Sequence, residues 1–172
     1  LCEQSGISVP PQKARFEAIH ETYRIALEYA RAAGLRVLEL PADPDTGKPY
    51  PFLMVTFQEN DWDDHAFNQA VGLVGHLDVV GAEEEQFHPS INDGHLYARG
   101  ATDMKTVVAT YLAWMADQQR TPGPKPPFVI MLSCCEENGS DQPNSMLSAL
   151  TTLRETHGLE IRTAVVGERT GE

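Results

Sequence analysis

Four apolar runs, alternating with segments of helical periodicity, limit the fold more than any other feature of this chain. They are "FLMVTF" (52–57), "AVGLVGHLDVV" (70–80), "FVIMLSC" (128–134) and "IRTAVVGE" (161–168), and a shorter β-like run, "LRVLEL", precedes them. Near-continuous apolar runs of this length suit strands buried on both faces. Before them, "PQKARFEAIHETYRIALEYARAAG" sets Phe16, Ile19, Tyr23, Ala26, Leu27 and Ala30 at helical spacing, with Gly34 as the expected C-cap. A second helix is predicted over "MKTVVATYLAWMADQQ", with Val107, Leu112, Trp114 and Met115 packed, and a third over "NSMLSALTTLRETHG". The expected fold class is therefore α/β, a mostly parallel sheet flanked by helices, with ligands beyond the carboxyl ends of the strands. The stretch "GAEEEQFHPSINDGHLYARGATD" reads as a loop.

Charge narrows the partners. The chain carries 25 acidic against 13 basic side chains, a formal charge of -12 over 172 residues, with no Lys/Arg cluster. Nucleic acid and anionic membrane are thus excluded as natural partners, and cations are favoured. No stretch approaches the roughly 18 apolar residues of a membrane span. Three cysteines without the spacing of a disulfide framework fit a reducing compartment, so a cytoplasmic location is expected. The start without Met and the end just after a strand-like run give the expectation of a fragment of a longer protein.

Three strand candidates end in imidazole or carboxylate: His76 and Asp78, then Glu136 and Glu137, then Glu168; Asp103 stands just before a helix. A parallel sheet brings such ends to one edge. One His with several carboxylates makes an oxygen- and nitrogen-rich cluster that suits zinc, manganese or cobalt, borderline or hard divalent ions, and does not make a thiolate centre. Residues i and i+2 of a strand face one side, which lets Asp78 orient the His76 ring. Each residue also has a plainer reading: Asp103 as a helix N-cap, and the Glu136–Glu137 pair or Glu83 to Glu85 as solvated loop. His20, His65, His88, His95 and His157 are read as surface, loop or helix residues, and Trp114 and Met115 as core. A thiolate site at Cys134 and Cys135 lacks the two-residue spacer and a second pair.

In order and spacing, "GHLDVV", "FHPSINDGHLYARGATDMK", "CCEENGS" and "VVGERTG" resemble the co-catalytic metallopeptidases of the M20 family, strongly from Val71 to Glu168. The resemblance implies that His76 and Glu168 are ligands of a first metal, Asp103 a bridging ligand and Glu137 a ligand of a second. It also implies catalytic roles for Glu136, as general base, and for Asp78, as the carboxylate behind His76. Two divalent ions are implied as cofactors, zinc first with cobalt or manganese as alternatives. The implied activity is hydrolysis of the amide of an N-acyl amino acid or a small peptide with a free carboxylate, by a protein that would be a homodimer when complete.

Residues 1–172 would then be the N-terminal portion of the catalytic domain, inactive alone, with the lid or dimerisation domain and a late metal-ligating His elsewhere. Departures from the family pattern are "GAEEEQFHP" after the His-x-Asp strand, "DMKTVV" in place of Lys-Gly, Cys135 in place of Asp, and Arg169 in place of Pro. A non-catalytic relative that keeps the fold is the rival reading.

Overall fold

The computed structural model describes residues 12–42, 50–62, 70–138 and 146–168, without the side chains of 12–16 and 138. Cys2, the Phe16 side chain, His65 and Arg169 lie outside the described residues. The chain runs through α1 (Gln12–Ala32), β1 (Arg36–Leu40), β2 (Phe52–Thr56), β3 (Val71–His76), β4 (Ser90–Asn92), β5 (His95–Tyr97), α2 (Thr106–Arg120), β6 (Phe128–Ser133), α3 (Met146–His157) and β7 (Thr163–Val166). None of the described helices is long and apolar enough to cross a membrane.

Among the described residues, five strands form one sheet in the order β1-β2-β6-β3-β7. β3 pairs in parallel with both β6 and β7, whereas β2 is antiparallel to β1 and to β6. Only β2 therefore runs against the other four. Side chains alternate across the sheet, and the core divides accordingly. Leu53, Val55, Leu73, Ile130 and Leu132 pack with α1 and α2, through Leu27, Ala30, Val108 and Met115 among others. Phe52, Met54, Val129 and Met131 face the opposite way, onto Ala149 and Leu153 of α3.

The first helix ends as its sequence predicts. Gly34 takes φ 74°, its N–H donates to Arg31 O, and Leu35 N–H donates to Ala30 O, both at 3.0 Å. This six-to-one, five-to-two pair is the Schellman closure that a left-handed Gly permits.

Three expectations are corrected. β7, expected buried, is exposed throughout, because it is the outer strand with β3 as its sheet neighbour. The supposed loop after β3 contains the β4–β5 hairpin, turned by Asp93 (φ 48°) and Gly94 (φ 78°). An Asp-Gly pair with two positive φ values is the tight-hairpin signal, and it was present in the sequence. Trp114 is not core but over a third exposed, lying edge-on against Phe57 and Phe128 with ring centroids 6.2 and 5.3 Å away. Met115 beside it is fully buried.

Candidate metal centre

Parallel register builds the site. His76 is level with Ser133 across β3 and β6, and Val74 is level with Val166 across β3 and β7. Two residues beyond Val166, Glu168 therefore comes level with His76, while Glu136 and Glu137 lie in a short 3-10 turn just past β6. Asp103 arrives from the other direction, in the turn Ala101–Lys105 that leads into α2. That turn starts at Gly100 (φ 81°), where a Cβ would stand 2.6 Å from Val79 Cγ1.

The structure brings all six predicted site residues to this edge. His76 is buried, 2% exposed. Its Nε2 lies 3.1 Å from Asp103 Oδ1 and 3.5 Å from Glu168 Oε1. Its Nδ1 donates to the main-chain carbonyl of Asp78 at 3.0 Å, with Asp78 Oδ1 at 3.4 Å. Holding Nδ1 in this way directs Nε2 toward the carboxylates, the arrangement seen behind metal-binding imidazoles.

Asp78 does more than stand behind the ring. It is buried, and its Oδ1 and Oδ2 accept the N–H groups of Glu136 and Glu137 at 3.1 and 3.0 Å. The 3-10 turn that presents both glutamates is thus tied to the end of β3. Asp103 is not the N-cap of α2, the plainer reading of its position. That cap position is Lys105, with no side-chain cap bond, because Asp103 has extended backbone angles and its carboxylate faces His76.

Ligand atoms of His76, Asp103 and Glu168 lie within 4.8 Å of one another, and so do those of His76, Glu136 and Glu137. Both groups share the one imidazole. Nitrogen and carboxylate donors of this kind suit zinc and similar divalent ions, so the residues present fit such an ion. Among the described residues no thiol joins either group. Cys134 and Cys135 are fully buried, and burial pushes both thiols up, that of Cys134 well above its usual range. A protonated thiol is a poor ligand.

Charge at this edge is unbalanced. Burial raises the carboxyls of Glu137 and Glu168; His76 opposes the rise, and the neighbouring carboxylates add to it. Burial also lowers His76, but the Asp78 hydrogen bond and charge, with Asp103 and Glu136, outweigh it and bring the imidazole up to about 9. Carboxylates that repel one another around an imidazole of raised pKa make a site whose charge a divalent cation would balance.

One neighbour was missed in the sequence. Lys105, half-buried, donates its Nζ to Leu77 O at 2.7 Å, directly between His76 and Asp78. The available signal was a cation in the first turn of a helix, where the dipole disfavours it.

The profile of Peptidase family M20/M25/M40 matches residues 72–171, which include all six site residues. The chain belongs to this family. Relatives in the M20 group include a succinyl-diaminopimelate desuccinylase of Cereibacter sphaeroides, 33% identical over 116 residues, covering 63% of this chain and 30% of the relative. Another, of Delftia acidovorans, is 36% identical over 105 residues, covering 57% and 26%. The chain thus spans about 30% of the length of the curated relatives it matches. Human carnosine dipeptidase 1 has the same fold with a TM-score of 0.67 at 20% identity, over 96% of this chain and 36% of that one. A tripeptidase of Staphylococcus aureus gives 0.57 at 19% identity, over 94% and 44%. These M20 structures carry the α/β fold expected from the strand pattern.

Proposed function

We propose that residues 1–172 form the N-terminal portion of the catalytic domain of a two-metal amide hydrolase, acting on N-acyl amino acids or small peptides with a free carboxylate. The observation that carries this reading is the meeting of the buried His76 imidazole with the carboxylates of Asp103, Glu168, Glu136 and Glu137 at the end of a parallel sheet. His76, Asp103 and Glu168 would hold one ion, zinc first with cobalt or manganese as alternatives. Glu137 would serve the second, with Asp103 between the two. Bound divalent ions supply Lewis acidity toward an amide carbonyl and acidify a water.

The remaining work falls to this chain's side chains. Glu136 is exposed at the turn, free to accept a proton from water and to return it to the leaving amine. Asp78 fixes the main chain beneath Glu136 and Glu137, so the base and the ligand keep their separation. It also supports His76, whose Nδ1 proton it holds through its own carbonyl. A general base is useful only within reach of the proton it takes, and the two bonds from Asp78 would hold Glu136 in one place for that step.

The test is to strip the full-length protein of metal, reload it with zinc, manganese or cobalt, and measure bound metal and hydrolysis of N-succinyl, N-acetyl and dipeptide substrates. Two bound ions and turnover of one of these classes are expected. No bound metal after loading would overturn the reading.

A further inference from the structure

Leu77 separates His76 from Asp78, one residue beyond β3, and its main chain is held on both sides, through its N–H and through its carbonyl. Its N–H donates to Ser133 O at 2.8 Å, and its carbonyl accepts Lys105 Nζ at 2.7 Å. The first bond merely continues the β3–β6 ladder. The second comes from a side chain at the start of α2 and needs room made for it. A Cβ on Gly100 would stand 3.3 Å from Lys105 Nζ, and the left-handed turn at that glycine leaves the space open.

Two physical costs attach to this lysine. Its ammonium is half-buried, and a charge withdrawn from water loses hydration. It also stands at the N-terminus of α2, where the helix dipole repels positive charge. A cation here further opposes any divalent ion held by His76, Asp103 and Glu168. What the ammonium gains in return is the 2.7 Å bond to Leu77 O.

We propose that Lys105 is a positioning residue of the metal centre: by fixing the Leu77 carbonyl, its ammonium holds His76 and Asp78 in the orientation that captures a divalent ion. This rests on the reading of the site as a metal centre. Charge and position make opposite predictions. Were Lys105 only a nearby charge, removing it would relieve repulsion and tighten metal binding. As a positioning residue, its removal must weaken binding, by roughly the 10- to 100-fold typical of groups that orient metal ligands.

The experiment uses the full-length protein with zinc or manganese ion as the titrant, read by calorimetry, beside its Lys105→Met and Lys105→Gln variants. Methionine keeps the length of the stem and removes both donor and charge; glutamine restores an N–H donor without the charge. Expected are a 10- to 100-fold rise in metal Kd for Lys105→Met and recovery of most of that loss in Lys105→Gln. Equal or tighter binding by Lys105→Met overturns the proposal while leaving the metal centre intact. Should Lys105→Met fail to fold, Lys105→Leu is titrated in its place: a 10- to 100-fold rise in metal Kd supports the proposal, and equal or tighter binding overturns it. A wild-type protein that takes up no metal overturns the metal centre itself, a result distinct from the others.

Discussion

Asp78 Oδ2 accepts the main-chain N–H of Glu137 at 3.0 Å, joining the end of β3 to the turn after β6 across 59 residues of sequence. Oδ1 does the same for Glu136 at 3.1 Å. A buried carboxylate with two such bonds is a structural joint as well as a support for His76. Asp78→Asn leaves one carbonyl oxygen for two donors and turns an amide N–H toward one of them. Hydrogen bonds to a charged group contribute about 1.5–3 kcal/mol each. The variant is expected to lose that much stability, read as a lower Tm of the full-length protein. An unchanged Tm would show that the joint does not matter.

The proposed roles separate Glu136, as base, from Glu137, as ligand. Glu136→Gln keeps the side-chain volume and the main-chain bond to Asp78 but cannot accept a proton. Turnover is expected to fall by about 10²–10⁴-fold. Metal content, measured by elemental analysis, should stay close to that of the wild type. A variant that loses its metal would instead identify Glu136 as a ligand.

Protonation of His76 couples metal binding to pH. In the metal-free protein the imidazole is raised to about 9, so at neutral pH it carries a proton that a metal ion must displace. Apparent affinity should therefore rise with pH, by up to tenfold per unit, and level off near pH 9. Calorimetry in buffers of different ionisation enthalpy should register the released proton. The same shift stabilises the metal-free fold fully below about pH 6.5, the unfolded value, and that contribution disappears as pH rises through about 9. A pH-independent affinity between 6 and 8 would contradict this assignment.

Gly75 lets α2 approach the sheet beside His76. A Cβ there would stand 2.8 Å from Val108 Cγ2 and 3.4 Å from Met104 Cε. Gly75→Ala is expected to cost about 1–3 kcal/mol through overpacking. Its urea midpoint should fall with an unchanged m value. Weaker metal binding should follow, since Met104 adjoins Asp103. A midpoint equal to that of the wild type would mean that the helix has slack at this position.

The legible part of this protein was the part with local or periodic rules. Apolar runs located β2, β3 and β6, helical spacing located α1, and Gly34 announced the Schellman turn; the ordered motifs from His76 to Glu168 pointed to the family. The Asp-Gly hairpin was equally local, and its signal went unused within a long polar stretch. β7 read as buried because an apolar run does not reveal which strand ends the sheet. Trp114 read as core because helical spacing does not say how far a helix overhangs its sheet.

What the sequence by itself determined was which residue types lie at strand ends, since periodicity and composition act over a few neighbours. Only the tertiary structure decided their partners. The β6-β3-β7 register brought Glu168 level with His76, the Asp78 carboxylate turned toward two N–H groups rather than only to the ring, and Lys105 reached Leu77 O across 28 residues. Hydrogen bonds between distant segments depend on where packing sets the backbone, and no spacing rule carries that information.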